Sequence, residues 1–126
     1  MSYPTDMDDH ARDIHEMARA KGFYDHEWLW IEIPDDPTEP RYAPARKIKT
    51  RNPSFDAEKL ALIHSEVSEA LEAHRDGDMD AVREEIADVI IRCLDFAASK
   101  GWSMEHEVVR KKAKNRERPA MHGREW

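Results

Sequence analysis

The chain has 126 residues, a net charge of −7 and 37 % charged side chains, a size that fits a single domain, residues 1–126. Leu, Ile, Val and Phe number only 21, and twelve of them fall between Leu60 and Phe96, so the core is small. A lone monomer would be marginal, and helices sharing one core between identical chains are expected. No apolar run approaches the ~18–20 residues of a membrane span, and the acidic start lacks the basic and apolar regions of a signal peptide. Cys93 stands alone, which excludes an internal disulfide or a thiolate metal cluster. The acidic balance disfavours nucleic acid as a partner. Together these point to the cytoplasm.

The first predicted element is a helix over 8–21, capped by Asp8 or Asp9, with Ala11, Ile14, Met17 and Ala18 at helical spacing and Gly22 at its end. Residues 23–54 form a Pro-rich, largely irregular insert holding five of the seven prolines. Within it, Trp28–Ile33 reads as a short strand and Ala45–Thr50 as its partner. Arg41, Arg46, Lys47, Lys49 and Arg51 make a basic run there. A second helix covers 56–75, with Asp56 as cap and Leu60, Ile63, Val67, Ala70, Leu71 and His74 as its stripe. Asp76-Gly77-Asp78 stops it and caps a third helix over 80–99, whose stripe is Val82, Ile86, Val89, Ile90, Cys93 and Ala97. Gly101 closes that helix, Ser103 caps a fourth over 104–117, and Pro119 ends it. The expected fold is all-α, a bundle of about four helices with the insert between helices 1 and 2.

The two central helices repeat each other at an offset of 19: Ile63, Glu66, Val67, Glu69 and Leu71 map onto Val82, Glu85, Ile86, Asp88 and Ile90. At ~100° per residue, with Val67 and Ile86 each set to zero, Glu66 and Glu85 lie at about −100° and Glu69 and Asp88 at about −160°. Both acidic pairs thus flank their stripes on the same side. If the stripes pack on each other, four carboxylates meet along one seam. Two carboxylates ~5 Å apart repel by roughly 3 kcal/mol at an effective dielectric of 20. Magnesium, which takes carboxylate and water oxygens and bridges to phosphate, resolves that conflict. The competing reading is a solvated face with ordinary ion pairs, Arg92 among the partners. On the last helix Met104, Val108, Lys111, Asn115 and Arg118 share a stripe that begins apolar and ends in groups able to grip phosphate.

Glu66-x-x-Glu69, fifteen residues, then Glu85-x-x-Asp88 resembles the signature of the MazG-type all-α nucleoside triphosphate pyrophosphohydrolases. The tail Lys111-x-x-x-Asn115-x-x-Arg118-Pro119, followed by His122-Gly123-Arg124, is similar to that family's ending. The resemblance covers about residues 58–126, and residues 8–22 more loosely. It implies cleavage of a nucleoside triphosphate between the α- and β-phosphates, dependent on Mg²⁺ (or Mn²⁺ in its place), giving the monophosphate and pyrophosphate. By position, Glu66, Glu69, Glu85 and Asp88 would hold the metal, one of them being available as general base. Lys111, Asn115 and Arg118 would steady the triphosphate. A homo-oligomer, dimer or tetramer, is implied as well. Phe23, Tyr24, Trp28 and Trp30 are candidates for base stacking, although packing of the insert onto the helices is the expectation for each. Cys93 and Trp102 are expected to pack, and His64 has no assigned role.

Other readings within the superfamily are a dUTP diphosphatase and a phosphoribosyl-ATP pyrophosphohydrolase. A non-catalytic helical interaction module is the alternative outside it. A di-iron carboxylate bundle is excluded, because it needs Glu-x-x-His twice and no histidine has Glu three residues before it.

Overall fold

The computed structural model describes residues 6–34, 38 and 45–119. Its elements in chain order are α1 (Met7–Ala20), β1 (Trp28–Pro34), β2 (Ala45–Arg51), α2 (Phe55–Arg75), α3 (Met79–Ser99) and α4 (Met104–Arg116). The four expected helices are present, with ends shifted by at most one residue. The all-α expectation needs one correction, since β1 and β2 form a two-stranded antiparallel sheet, with Ile31 opposite Ile48. The strands reach one residue beyond the predicted runs, so the insert is ordered as a hairpin over much of its length. The expected Arg41 and the His122-Gly123-Arg124 ending lie outside the described residues.

Two caps differ from expectation. Asp6, not Asp8 or Asp9, caps α1, accepting from the Asp9 amide at 2.8 Å. Asp8 accepts instead from Ser103 Oγ at 2.5 Å and the Glu105 amide at 3.3 Å, tying α1 to the start of α4. α2 begins one residue before Asp56. Asp56 binds Arg51 at 2.8 Å and Lys100 at 2.7 Å, two cations that hold its carboxyl down to about 2. Asp78 and Ser103 cap α3 and α4 as expected, accepting from Ala81 and His106. Gly77 closes α2 at φ +74°, a conformation that side-chain-bearing residues avoid.

α3 is the centre of the molecule, packing against α2 on one side and α1 on another, while α4 touches mainly α1. The deepest cluster joins Ala18, Tyr24 and Phe55 where α1, the following turn and α2 meet. Val108 of α4 is exposed, so the apolar start of its stripe docks only through half-buried Met104.

The α2–α3 contact corrects the stripe assignment. On α2 the side chains turned inward are Phe55, Lys59, Ile63 and Glu66. Leu60, Val67 and Leu71, expected in the core, are each half exposed, as are Ile86 and Ile90 of α3. The acidic side of each helix, not the centre of its apolar stripe, faces the neighbour. No described helix is long and apolar enough to cross a membrane.

Candidate functional site

The turn at Gly77 makes α2 and α3 antiparallel neighbours, and residues equally far from that turn lie at the same height. Glu66 and Asp88 each stand eleven residues from Gly77, and Glu69 and Glu85 each stand eight. The 19-residue repeat therefore places the two acidic pairs side by side. Carboxylate oxygens of Glu66, Glu85 and Asp88 lie within 4.8 Å of one another. Glu69 stands beside Glu66 and Glu85 on the exposed rim. It also lines, with Glu85, a second acidic groove bordered by Glu72, Asp76 and Asp78.

The acids are not equivalent. Glu66 is buried, and its Oε1 accepts from Arg92 Nε at 2.8 Å. That guanidinium holds the Glu66 carboxyl below the usual range. Arg92 is thus an ion-pair partner across the helices, to Glu66, not to the acids of its own helix. Among the described residues Glu85 has no such cation. Burial, reinforced by the neighbouring Glu66 and Glu69, pushes it up to about 7. Among the described residues, Glu85 Oε2 is also buried without a hydrogen-bond partner. Such an orphaned acceptor is costly in a folded protein unless a cation or donor meets it. A donor set of carboxylate oxygens suits a hard divalent ion, so the residues present fit magnesium.

Beside this cluster a cleft of about 280 Å³ opens between α1, α2 and α3. Glu66, Asp88, Arg92 and Asp95 form its polar wall, and Met17, Phe23 and Ile91 add apolar surface. Lys21, at the end of α1, adds a second cation. Sequence reasoning had not assigned Lys21 or the Arg92–Glu66 pair to the site. The signal was the seven-residue step from Ile14 to Lys21 on one face of α1.

Lys111, Asn115 and Arg118 are placed elsewhere. All three are exposed on or just beyond the outer end of α4, and none lines the cleft. Within one chain the structure does not bring them to the carboxylates. Of the aromatic candidates, only Tyr24 packs into the core. Trp28 and Trp30 are exposed on the hairpin, contrary to the expectation that they pack. Trp102 is half exposed and makes an edge contact with Phe96, Cys93 is half-buried, and His64 faces outward.

No curated protein and no solved structure matches the chain. Residues 57–122, over half its length, match the family model described as the MazG nucleotide pyrophosphohydrolase domain. That span contains the acidic seam and all of α4, and the chain belongs to the MazG nucleotide pyrophosphohydrolase family.

Proposed function

We propose that this protein hydrolyses nucleoside triphosphates between the α- and β-phosphates, releasing the monophosphate and pyrophosphate, with magnesium held by Glu66, Glu69, Glu85 and Asp88. The observation that carries the reading is the buried, unpartnered Oε2 of Glu85 among converging carboxylates. Magnesium bound there would supply positive charge to the phosphate oxygens and activate the attacking water. Phosphoryl transfer asks the protein chiefly for positioning and charge stabilisation. Arg92 meets that demand by fixing the Glu66 carboxylate in one orientation. Lys21 stands where it can neutralise a phosphate oxygen at the cleft. One of the four carboxylates serves as general base instead of ligand, and Glu69, exposed on the rim beside the three converging acids, is our candidate for it.

A homo-oligomer belongs to the same proposal. The half-exposed Leu60, Val67, Leu71, Ile86 and Ile90 form an apolar surface on one helix pair, and a second copy would cover it. In such an assembly, Lys111, Asn115 and Arg118 would reach phosphates at a neighbouring chain's site.

Pyrophosphate release from the eight common ribo- and deoxyribonucleoside triphosphates, from dUTP and from phosphoribosyl-ATP, with magnesium and with chelator, tests the reading. Release from at least one triphosphate, abolished by chelator, is expected. Release from dUTP alone, or from phosphoribosyl-ATP alone, would assign the narrower activity. No release from any substrate, with a melting temperature indifferent to magnesium, would leave a non-catalytic module.

A further inference from the structure

We propose that Phe23 is the platform on which the substrate's base stacks, and that Lys59 is the residue that positions it. The inference rests on the functional reading above and adds to it the side of the cleft that selects a base-bearing triphosphate.

Phe23 lies between structural opposites. The next residue, Tyr24, is 5 % exposed and packs on the fully buried Phe55, yet Phe23 itself is 55 % exposed. Its ring borders the same cleft as Glu66 and Asp88, with Met17 and Ile91 beside it. A flat ring left open on an apolar wall, across from phosphate-binding chemistry, suits a nucleobase, because every base offers a π-face. The cleft volume of about 280 Å³ is just below the ~300–1,000 Å³ usual for small ligands. Trp28 and Trp30 do not border this cleft.

The backbone around Phe23 is fixed from two directions. Its amide donates to the Ala18 carbonyl at 3.0 Å, and its carbonyl accepts from Lys59 Nζ at 2.9 Å. Lys59 is buried, its ammonium 4.1 Å from the Tyr24 ring centroid and 5.2 Å from that of Phe55. Removing an ammonium from water is costly. Here that charge is directed at two aromatic faces and at the one carbonyl that sets where the Phe23 ring stands.

The test is calorimetric binding to the full chain in the presence of magnesium. The probes are a non-hydrolysable α,β-methylene nucleoside triphosphate and base-free inorganic tripolyphosphate. Phe23→Ala is expected to weaken nucleotide binding by roughly ten- to a hundredfold, the range of one lost base stack. Tripolyphosphate binding should change less than twofold, and Phe23→Trp should restore the nucleotide. Lys59→Met should raise KM for nucleotides with kcat retained, and Lys59→Arg should recover part of the loss. Should Lys59→Met not fold, Phe23→Ala still decides, since its ring lies outside the core. Equal binding by Phe23→Ala, or equal losses for both probes, overturns the proposal. If the base-dependent loss is seen but the wild type releases no pyrophosphate, the catalytic reading fails and the platform stands. If pyrophosphate is released and Phe23→Ala binds normally, the platform alone fails.

Discussion

The inner seam and the outer surface of the α2–α3 pair are built the wrong way round for an isolated chain. Facing inward beside Phe55 and Ile63 are the charged Lys59, Glu66, Glu85 and Arg92, and facing outward are Leu60, Val67, Leu71, Ile86 and Ile90. Helices in a monomer normally bury the apolar set and solvate the charged one. On the function proposed above, each side has a separate occupant: the seam a divalent cation, the outer stripe a second copy of the chain. The two demands are separable, and perturbing them one at a time can break the comparison.

The largest effect is expected at Glu85. Glu85→Gln should lower turnover by at least about a hundredfold, the scale of one lost charge-stabilising group. The same change should raise the melting temperature of the magnesium-free protein, because it removes the acid that is hardest to ionise. The linkage has a definite sign. The folded group sits at about 7 against an ordinary 4.5, so the folded state holds the proton more tightly. Without magnesium, stability should fall as pH rises from about 4.5 to 7, and Glu85→Gln should flatten that segment relative to wild type. Asp56, held at about 2, acts in a different window, its contribution being present above the ordinary 3.8 and lost as pH falls toward 2. Thermal melts of both proteins across pH 3–8, with and without magnesium, separate the two. An unchanged slope in the variant would remove Glu85 as the strained member.

The outer stripe is next. A double substitution, Leu71→Glu with Ile90→Glu, should convert an oligomer into monomers in sedimentation analysis while helix content is kept. A wild type that sediments as a monomer would break the outer half of the comparison and leave the seam untouched.

How much of this was legible in the sequence follows from the same inversion. Helical periodicity places α1 to α4 well, because capping residues and glycines act locally. Asp78, Ser103 and Gly77 could be read one by one. The matched phase of the acidic pairs was legible too, since a repeat at an offset of 19 needs no tertiary information. Periodicity could not say which edge of an apolar stripe meets the neighbouring helix. A stripe wide enough for two neighbours looks the same whether the second is in the chain or outside it. Nor could it show that buried Lys59 reaches the Phe23 carbonyl, a contact across 36 residues.

A smaller effect is expected on α4. Lys111→Ala or Arg118→Ala should raise KM for the triphosphate roughly tenfold, about 1.4 kcal/mol, with little change in kcat. Both side chains sit away from their own chain's cleft, so mixing sharpens this prediction. Heteromers of Lys111→Ala with Glu85→Gln chains should recover part of the activity if α4 serves a neighbour's seam. No recovery, with both single variants impaired, would mean that α4 serves its own chain.

The smallest effect concerns the turn that sets the seam's register. Asp78 caps α3 by accepting from the Ala81 amide at 3.0 Å. Replacing such a cap by alanine costs about 1 kcal/mol, which corresponds to roughly 4 °C in a domain of this size. Gly77 and the long α2–α3 contact would still hold Glu66 level with Asp88. Asp78→Ala should therefore lower the melting temperature by that amount and leave kcat within about twofold. A large loss of kcat with the same small loss of stability would show that the cap itself, and not the length of helix packed on either side of it, aligns the carboxylates.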